Sequence, residues 1–268
     1  MININAILVK FATQDLVLSK NETERSKIET SLNTLESKLK NGLGNNILEF
    51  KRFGSFTRNT ILPRQFDQKS DVDLMVIMNN SIKLHTPNTY RTWIKDVVDK
   101  AYPNSISSKD FPVVKLKLNH IMFDLVPAYK VVNAWPFNVT YYYIPDKIIG
   151  WRNTAPNDIN DSLSKQNQAT GNNTLRNVIR LCKHWNASTG YPLESYLMEK
   201  KIINNWYSYS SNDTTYDKFL EVMKLIAGDK PGVKEALDHI KTYKGNFFNE
   251  PNVDKQKEWL KRLLPGLY

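Results

Sequence analysis

Two aspartates separated by one residue stand in the apolar run Asp71-Val72-Asp73-Leu74-Met75-Val76. On a β-strand, that spacing points Asp71 and Asp73 to one face and Val72 and Leu74 to the other. Paired carboxylate oxygens on one face suit a hard divalent cation, because Mg²⁺ prefers octahedral oxygen ligands and takes one or two carboxylates together with substrate phosphates. A third carboxylate, Asp124, interrupts a second apolar run, Met122-Phe123-Asp124-Leu125-Val126. Three carboxylates on neighbouring strands can hold two Mg²⁺ ions, or Mn²⁺ in their place, about 3.5 to 4 Å apart; that arrangement activates an attacking hydroxyl and steadies a leaving pyrophosphate. Asp-x-Asp or Glu-x-Glu spacing alone is common, and Glu22-x-Glu24 reads as a solvated helix face. The pair at 71 and 73 differs because a charge in an apolar strand is costly without a cation or partner.

Upstream, Gly54-Ser55 follows the basic stretch Phe50-Lys51-Arg52-Phe53. A glycine lets backbone approach a phosphate closely, and a serine hydroxyl at the start of a helix adds a donor, although an ordinary turn is the better reading of the pair taken alone. No G-x-x-x-x-G-K-[ST] loop occurs, which disfavours a P-loop ATPase. Further along, Arg176, Arg180 and Lys183 fall at helical spacing as one stripe, opposite an apolar face of Leu175, Val178, Ile179, Cys182 and Trp185. Such a stripe ordinarily faces solvent. Cys182 reads as packing, His184 carries no assigned role, and Tyr196, taken by itself, reads as core.

These residues need elements to position them. The first 40 residues read as helix, with Ile28, Leu32, Leu35 and Leu39 on one face and Gly42 where a left-handed cap is expected. From Leu48 the pattern becomes strand, glycine turn, short helix or loop, then strand through Val72, Leu74, Val76 and Met78. The β-rich runs "VVKLKLN" and "IMFDLV" predict an antiparallel hairpin that ends at Pro127. Beyond Tyr143 the strand signal fades, and Pro145, Gly150 and Pro156 punctuate a loop-rich passage. This divides the chain into residues 1–145 and 146–268. Helices are predicted in the second part around 175–185 and over 216–227, 233–243 and 255–264. The fold class is α+β: an α+β half followed by an all-helical half.

With 268 residues, 41% hydrophobic, the chain is long enough for a large domain or two modest ones and rich enough to build an interior. Its apolar runs are far shorter than a membrane span requires, so a soluble, cytoplasmic, membrane-free protein is expected. One cysteine excludes an internal disulfide and a thiolate metal cluster. Thirty-seven Lys and Arg against 27 Asp and Glu, a net charge of +10, favour a polyanionic ligand.

Read together, "GSFTRNT", "SDVDLMV", "FDLVPA", "LRNVIRLCKHWN" and "LESYLMEK" resemble the nucleotidyltransferases of the DNA polymerase β superfamily, and within it the bacterial CD-NTases, relatives of cyclic GMP-AMP synthase and oligoadenylate synthase. The resemblance spans about residues 50 to 200. It implies a polymerase β-like catalytic core, a mixed sheet with helices and a long N-terminal helix, and a C-terminal helical domain that completes the nucleotide-binding cleft. It implies that Asp71, Asp73 and Asp124 are the catalytic metal ligands, and that Gly54, Ser55, Lys183 and Ser195 contact phosphates. By the same resemblance Tyr196 stacks on a nucleobase. The implied activity is Mg²⁺-dependent, template-independent joining of NTPs into a cyclic di- or oligonucleotide that activates a downstream effector in anti-phage signalling. Transfer of a nucleotide onto RNA, protein or a small molecule is the first alternative, and a catalytically silent RNA-binding module the second. A monomer is expected. The scattered Lys10, Lys20, Lys27, Lys38 and Lys40 serve either solubility or an outer groove for an RNA activator.

Overall fold

The computed structural model describes residues 3–18, 22–133, 139–170, 173–206, 214–245 and 250–268. It divides the chain into two compact units: Asn21–Arg64 with Lys69–Asp158, and Met1–Lys20 with Gln65–Gln68 and Ile159–Tyr268. In chain order the elements begin with α1 (Ile4–Lys10), extended by a π-helical turn (Phe11–Asp15), α2 (Glu22–Leu43), β1 (Ile47–Phe53) and α3 (Gly54–Thr57). Next come β2 (Asp71–Met78), α4 (Pro87–Ala101), β3 (Ile106–Asp110), β4 (Val113–Lys117), β5 (Met122–Asn133), β6 (Val139–Asp146) and β7 (Gly150–Thr154). The remaining helices are α5 (Asp158–Thr170), α6 (Thr174–Ser188), α7 (Ser195–Asn204), α8 (Thr215–Ala227), α9 (Pro231–Tyr243) and α10 (Val253–Leu263). Among the described residues no helix is long and apolar enough to cross a membrane.

The N-terminal segment is not one helix. Ile4, Leu8, Phe11, Ala12 and Leu16 are buried within the helical unit, whereas the stripe Ile28, Leu32, Leu35 and Leu39 of α2 is buried within the sheet unit. Helical geometry ends at Leu16, where φ is −86° and ψ 4°, and α2 begins separately at Glu22. Gly42 does not cap α2, which runs one residue past it. A Cβ at Gly42 would lie 2.6 Å from Val97 Cγ1, so the glycine allows close approach to α4, and the left-handed residue is Gly44, at φ +53°. Of the lysines in this segment, Lys38 donates to the Ala101 carbonyl at the end of α4 and Lys40 to the Ile47 carbonyl, while Lys10 and Lys27 are exposed. Lys20 lies outside the described residues.

The sheet runs β1-β2-β5-β4-β3, with β6 attached to the far half of β5 and β7 to β6. β2 and β5 are parallel and every other pairing is antiparallel. The expected β4–β5 hairpin is present, closed by a bond from the Leu118 N–H to the Ile121 carbonyl. Pro127 does not end β5, which continues to Asn133. Pro127 falls between the last pairing with β4, at Leu125, and the first with β6, at Tyr129. A missing N–H there costs no bond along that edge. Nor does strand structure stop at Tyr143: β6 and β7 form a hairpin past Pro145, held by stacked Tyr129 and Tyr143 rings with Trp151 edge-on. The sheet unit consequently extends to Asp158.

In the helical unit, α6 packs against α7 and α8, and α9 against α8 and α10. The predicted helices at 175–185, 216–227, 233–243 and 255–264 correspond to α6, α8, α9 and α10. The basic stripe of α6 is not a solvated face. Arg180 and Lys183 are each 6% exposed, and Arg180 donates to the Asn177 side chain and the Ala12 carbonyl. Cys182 is fully buried, and burial pushes its thiol pKa up.

Candidate active site

The sheet unit assembles the carboxylates through register. Asp73 lies directly across from Asp124 in the parallel β2–β5 pair, and Asp71 across from Met122. Asp71 and Asp73 are half-buried while Val72 and Leu74 are fully buried, as alternation on a strand demands. Ser70, buried at the mouth of β2, donates to the Leu62 carbonyl and fixes where the strand begins. Asp124 Oδ1 is closed off from solvent without a hydrogen-bond partner. Its pKa is pushed up to about 7, chiefly by burial and then by the Asp71 charge, with Lys115 opposing.

Gly54 stands against this cluster. It pairs with neither strand but begins α3 at φ +77°, immediately after Phe53, which lies opposite Asp73. A Cβ at Gly54 would lie 1.8 Å from Asp73 Oδ2. Only glycine allows that contact, and only glycine adopts the backbone angle without strain. Ser55 then turns the chain: its carbonyl accepts from the N–H groups of Thr60 and Ile61.

Two residues that no sequence motif singles out, Lys115 and Asp110, join this cluster. Lys115 is directly opposite Asp124 in the antiparallel β4–β5 pair, and its ammonium forms an ion pair with Asp110 at 2.6 Å. The Lys115 pKa is raised first by the Asp110 hydrogen bond, and the charges of Asp124 and Asp71 add to it. A signal existed in the sequence: once the hairpin is closed around residues 118–121, "VVKLK" and "MFDLV" align Lys115 with Asp124.

Among the described residues no group of three or more His, Cys, Asp or Glu side chains stands ready to hold a metal ion. The donor set nonetheless fits a hard divalent cation, which ordinarily takes one or two carboxylates and completes its shell with water and substrate phosphate. The unpartnered Asp124 Oδ1 and the repulsion between Asp71 and Asp124 are relieved by positive charge at that point. Asp71, Asp73 and Asp124 could hold such an ion, which when bound would neutralise phosphate charge and lower the pKa of an acceptor hydroxyl.

The other predicted residues belong to the helical unit. Lys183 forms an ion pair with Glu199 of α7 at 3.2 Å, both side chains being almost completely buried. Ser195 is the first residue of α7, one turn before Glu199 on the same helix face. Tyr196, expected as core when read alone, is 44% exposed, with the Lys200 ammonium 5.8 Å from its ring centre. Asn186 positions this stretch: its side chain accepts from the Leu193 N–H and donates to the Leu193 carbonyl, and its own carbonyl accepts from the Tyr191 N–H. Tyr191, at φ +62°, donates its hydroxyl to Asp67. His184 Nε2 lies 2.7 Å from the Pro265 carbonyl, with the rings of Phe11 and Phe66 edge-on to the imidazole.

Residues 3–167, more than half of the chain, match the family described as Second Messenger Oligonucleotide or Dinucleotide Synthetase domain, SMODS. A protein of Bacillus cereus (strain VD146) named a probable cyclic nucleotide synthase is 27% identical over 184 residues, 57% of this chain and 54% of that protein. This alignment spans about half the length of that relative. The CBASS oligonucleotide cyclase CdnC of Escherichia coli (strain KTE188) is 26% identical over 229 residues, 81% of this chain and 69% of that one. Among solved structures, CdnC of E. coli MS115-1 in complex with HORMA-deltaN superposes with a TM-score of 0.66 at 14% identity, covering 98% of both chains. The Vibrio cholerae DncV cyclic AMP-GMP synthase, in complex with the linear intermediate pppA(3′,5′)pG, gives a TM-score of 0.58 at 12% identity, over 82% of this chain and 68% of that one. At these identities the superpositions establish a common fold, and the fold, the carboxylate-bearing strands and the match over residues 3–167 agree: the chain belongs to the SMODS family.

Proposed function

We propose that this chain is a divalent-metal-dependent nucleotidyltransferase that joins NTPs, without a template, into a cyclic di- or oligonucleotide messenger of a CBASS-type anti-phage system. The observation that carries the reading is the register of β2 and β5, which sets Asp73 beside Asp124 with Asp71 two residues away on the same face, while Gly54 leaves room for the Asp73 carboxylate. In this reading Asp71, Asp73 and Asp124 hold two Mg²⁺ or Mn²⁺ ions, and Asp124 orients the one nearest the acceptor hydroxyl. Gly54 and Ser55 present backbone and hydroxyl donors to the donor phosphates. Positioning and charge neutralisation supply the rate acceleration, since the attacking and leaving oxygens need little covalent help from the protein.

Nucleotide contacts from the helical unit extend the proposal. Tyr196 exposes a ring face on which a base can stack, and Lys200 beside it adds charge. Lys183 is paired with Glu199, and its ammonium, with three donors, would reach a phosphate by sharing or releasing that carboxylate. The reading is tested by incubating the protein with the four NTPs and Mg²⁺ or Mn²⁺. A small, phosphatase-resistant nucleotide identified by mass spectrometry is the expected product. Pyrophosphate release only upon addition of RNA, protein or a small-molecule acceptor would replace this function with nucleotide transfer to that acceptor.

A further inference from the structure

Strand pairing gives Lys115 a place that no expected role accounts for. Residues directly opposite on antiparallel strands share a face with Cβ atoms about 4.5 to 5.5 Å apart, and Lys115 is opposite Asp124. Its ammonium pairs with Asp110 at 2.6 Å while still feeling the charges of Asp124 and Asp71. Asp110 is itself surrounded by positive charge: Arg91 and Lys147 both lie over the ring of its neighbour Phe111, at 5.4 and 5.5 Å. Lys115 and Asp110 remain partly open to solvent, with side chains 33% and 60% exposed. An ion pair so placed is weak on its own account and exchanges readily. Lys115 is therefore a fixed positive charge on the rim of the carboxylate cluster, tethered but free to respond to what binds there.

We infer that Lys115 is a positioning residue that couples metal to nucleotide, its charge opposing a divalent ion that arrives alone and attracting one that arrives with a triphosphate. The inference rests on the reading of Asp71, Asp73 and Asp124 as metal ligands. A divalent ion held by Asp71 and Asp124 would feel the same ammonium that these carboxylates feel, and even a well-screened repulsion between close charges is worth about a factor of ten in affinity. A bound triphosphate reverses the sign, because its oxygens offer Lys115 a more highly charged partner than Asp110. Metal and nucleotide then each tighten the binding of the other, as linkage requires.

The test is a Mn²⁺ titration of the full chain followed by electron paramagnetic resonance, with and without a non-hydrolysable ATP analogue. Lys115→Met, or Lys115→Gln should the first fold poorly by thermal melting, is expected to tighten nucleotide-free Mn²⁺ binding by about tenfold or more and to shrink the gain in Mn²⁺ affinity that the analogue produces. Lys115→Arg keeps the charge and should behave as the native chain in both arms. Unchanged or weaker nucleotide-free Mn²⁺ binding in Lys115→Met would overturn the inference. The Asp71→Asn, Asp73→Asn double variant separates the two levels. If it binds Mn²⁺ and analogue like the native chain, the metal-ligand reading fails. If it loses Mn²⁺ while Lys115→Met is unaltered, the role of Lys115 alone fails.

Discussion

The backbone of Gly54 lies against the carboxylate of Asp73 so closely that a single added methyl group would sit 1.8 Å from Asp73 Oδ2. Gly54→Ala therefore forces two adjustments at once, a left-handed backbone angle costing about 1 to 2 kcal/mol for an L-residue and displacement of Asp73. Product formation should fall at least about a hundredfold, since misplacing a reacting group by an ångström costs about that much. Urea denaturation should show the smaller loss of stability. Near-native turnover by Gly54→Ala would mean that the position of Asp73 is not critical.

Asp71→Asn, Asp73→Asn and Asp124→Asn should each abolish synthesis while leaving the fold intact, because each removes a ligand charge at nearly constant volume. The metal-free Asp124→Asn protein should melt no lower than the native chain at neutral pH. Its carboxylate is destabilised first by burial and then by Asp71, and the uncharged amide escapes the repulsion and is less costly to bury than a charge. A large drop in melting temperature would show that Asp124 is held by interactions an amide cannot replace.

The Lys183–Glu199 pair is buried, so removing one partner leaves the other's charge without its counter-charge. Lys183→Met should destabilise the protein by about 3 to 5 kcal/mol, whereas the Lys183→Met, Glu199→Leu double variant should recover most of that loss. Chemical denaturation of the single and double variants measures both. If the double variant regains stability yet binds NTP weakly, Lys183 contributes to the ligand as well as to the fold.

His184 makes stability depend on pH. Burial lowers its pKa, and the bond to the Pro265 carbonyl requires the proton on Nε2, leaving Nδ1 enclosed and without a partner. A lowered folded-state pKa contributes stability that is fully present above the unfolded value of about 6.5 and is lost as pH falls through the folded value. The native chain should thus lose more stability than His184→Gln between neutral pH and about pH 5. Parallel curves for the two proteins would remove His184 as the cause.

Tyr196→Ala should weaken NTP binding by about 1 to 3 kcal/mol, the worth of a base stacked on an aromatic ring, with stability nearly unchanged because the ring is largely exposed. Salt dependence of affinity should be preserved, since no charge is removed. Unaltered affinity would assign the ring a different role.

Much of the site and its elements is legible in the sequence alone. Alternation around Asp71 and Asp73 specified both the strand and which of its faces bears the carboxylates, because a period of two leaves no other arrangement. The spacing of Leu175, Val178, Ile179, Cys182 and Trp185 likewise announced α6, and the short runs either side of residues 118–121 announced the β4–β5 hairpin. Each is a local pattern, set by the geometry of its own element.

Only the tertiary structure decided the rest, because each case depends on a neighbour distant in sequence. Gly42 resembles a helix cap until Val97 is packed beside it, and Pro127 resembles a strand end until both edges of β5 are known. The basic stripe of α6 resembles a wet surface, yet Lys183 is buried because Glu199, on another helix, neutralises it. Tyr196 is apolar enough for a core and lies exposed because of where α7 begins. Lys115 is one lysine among many until antiparallel pairing sets it opposite Asp124. Hydrophobic periodicity determines elements; the partners of charged and glycine residues are chosen by packing, over distances that no local pattern records.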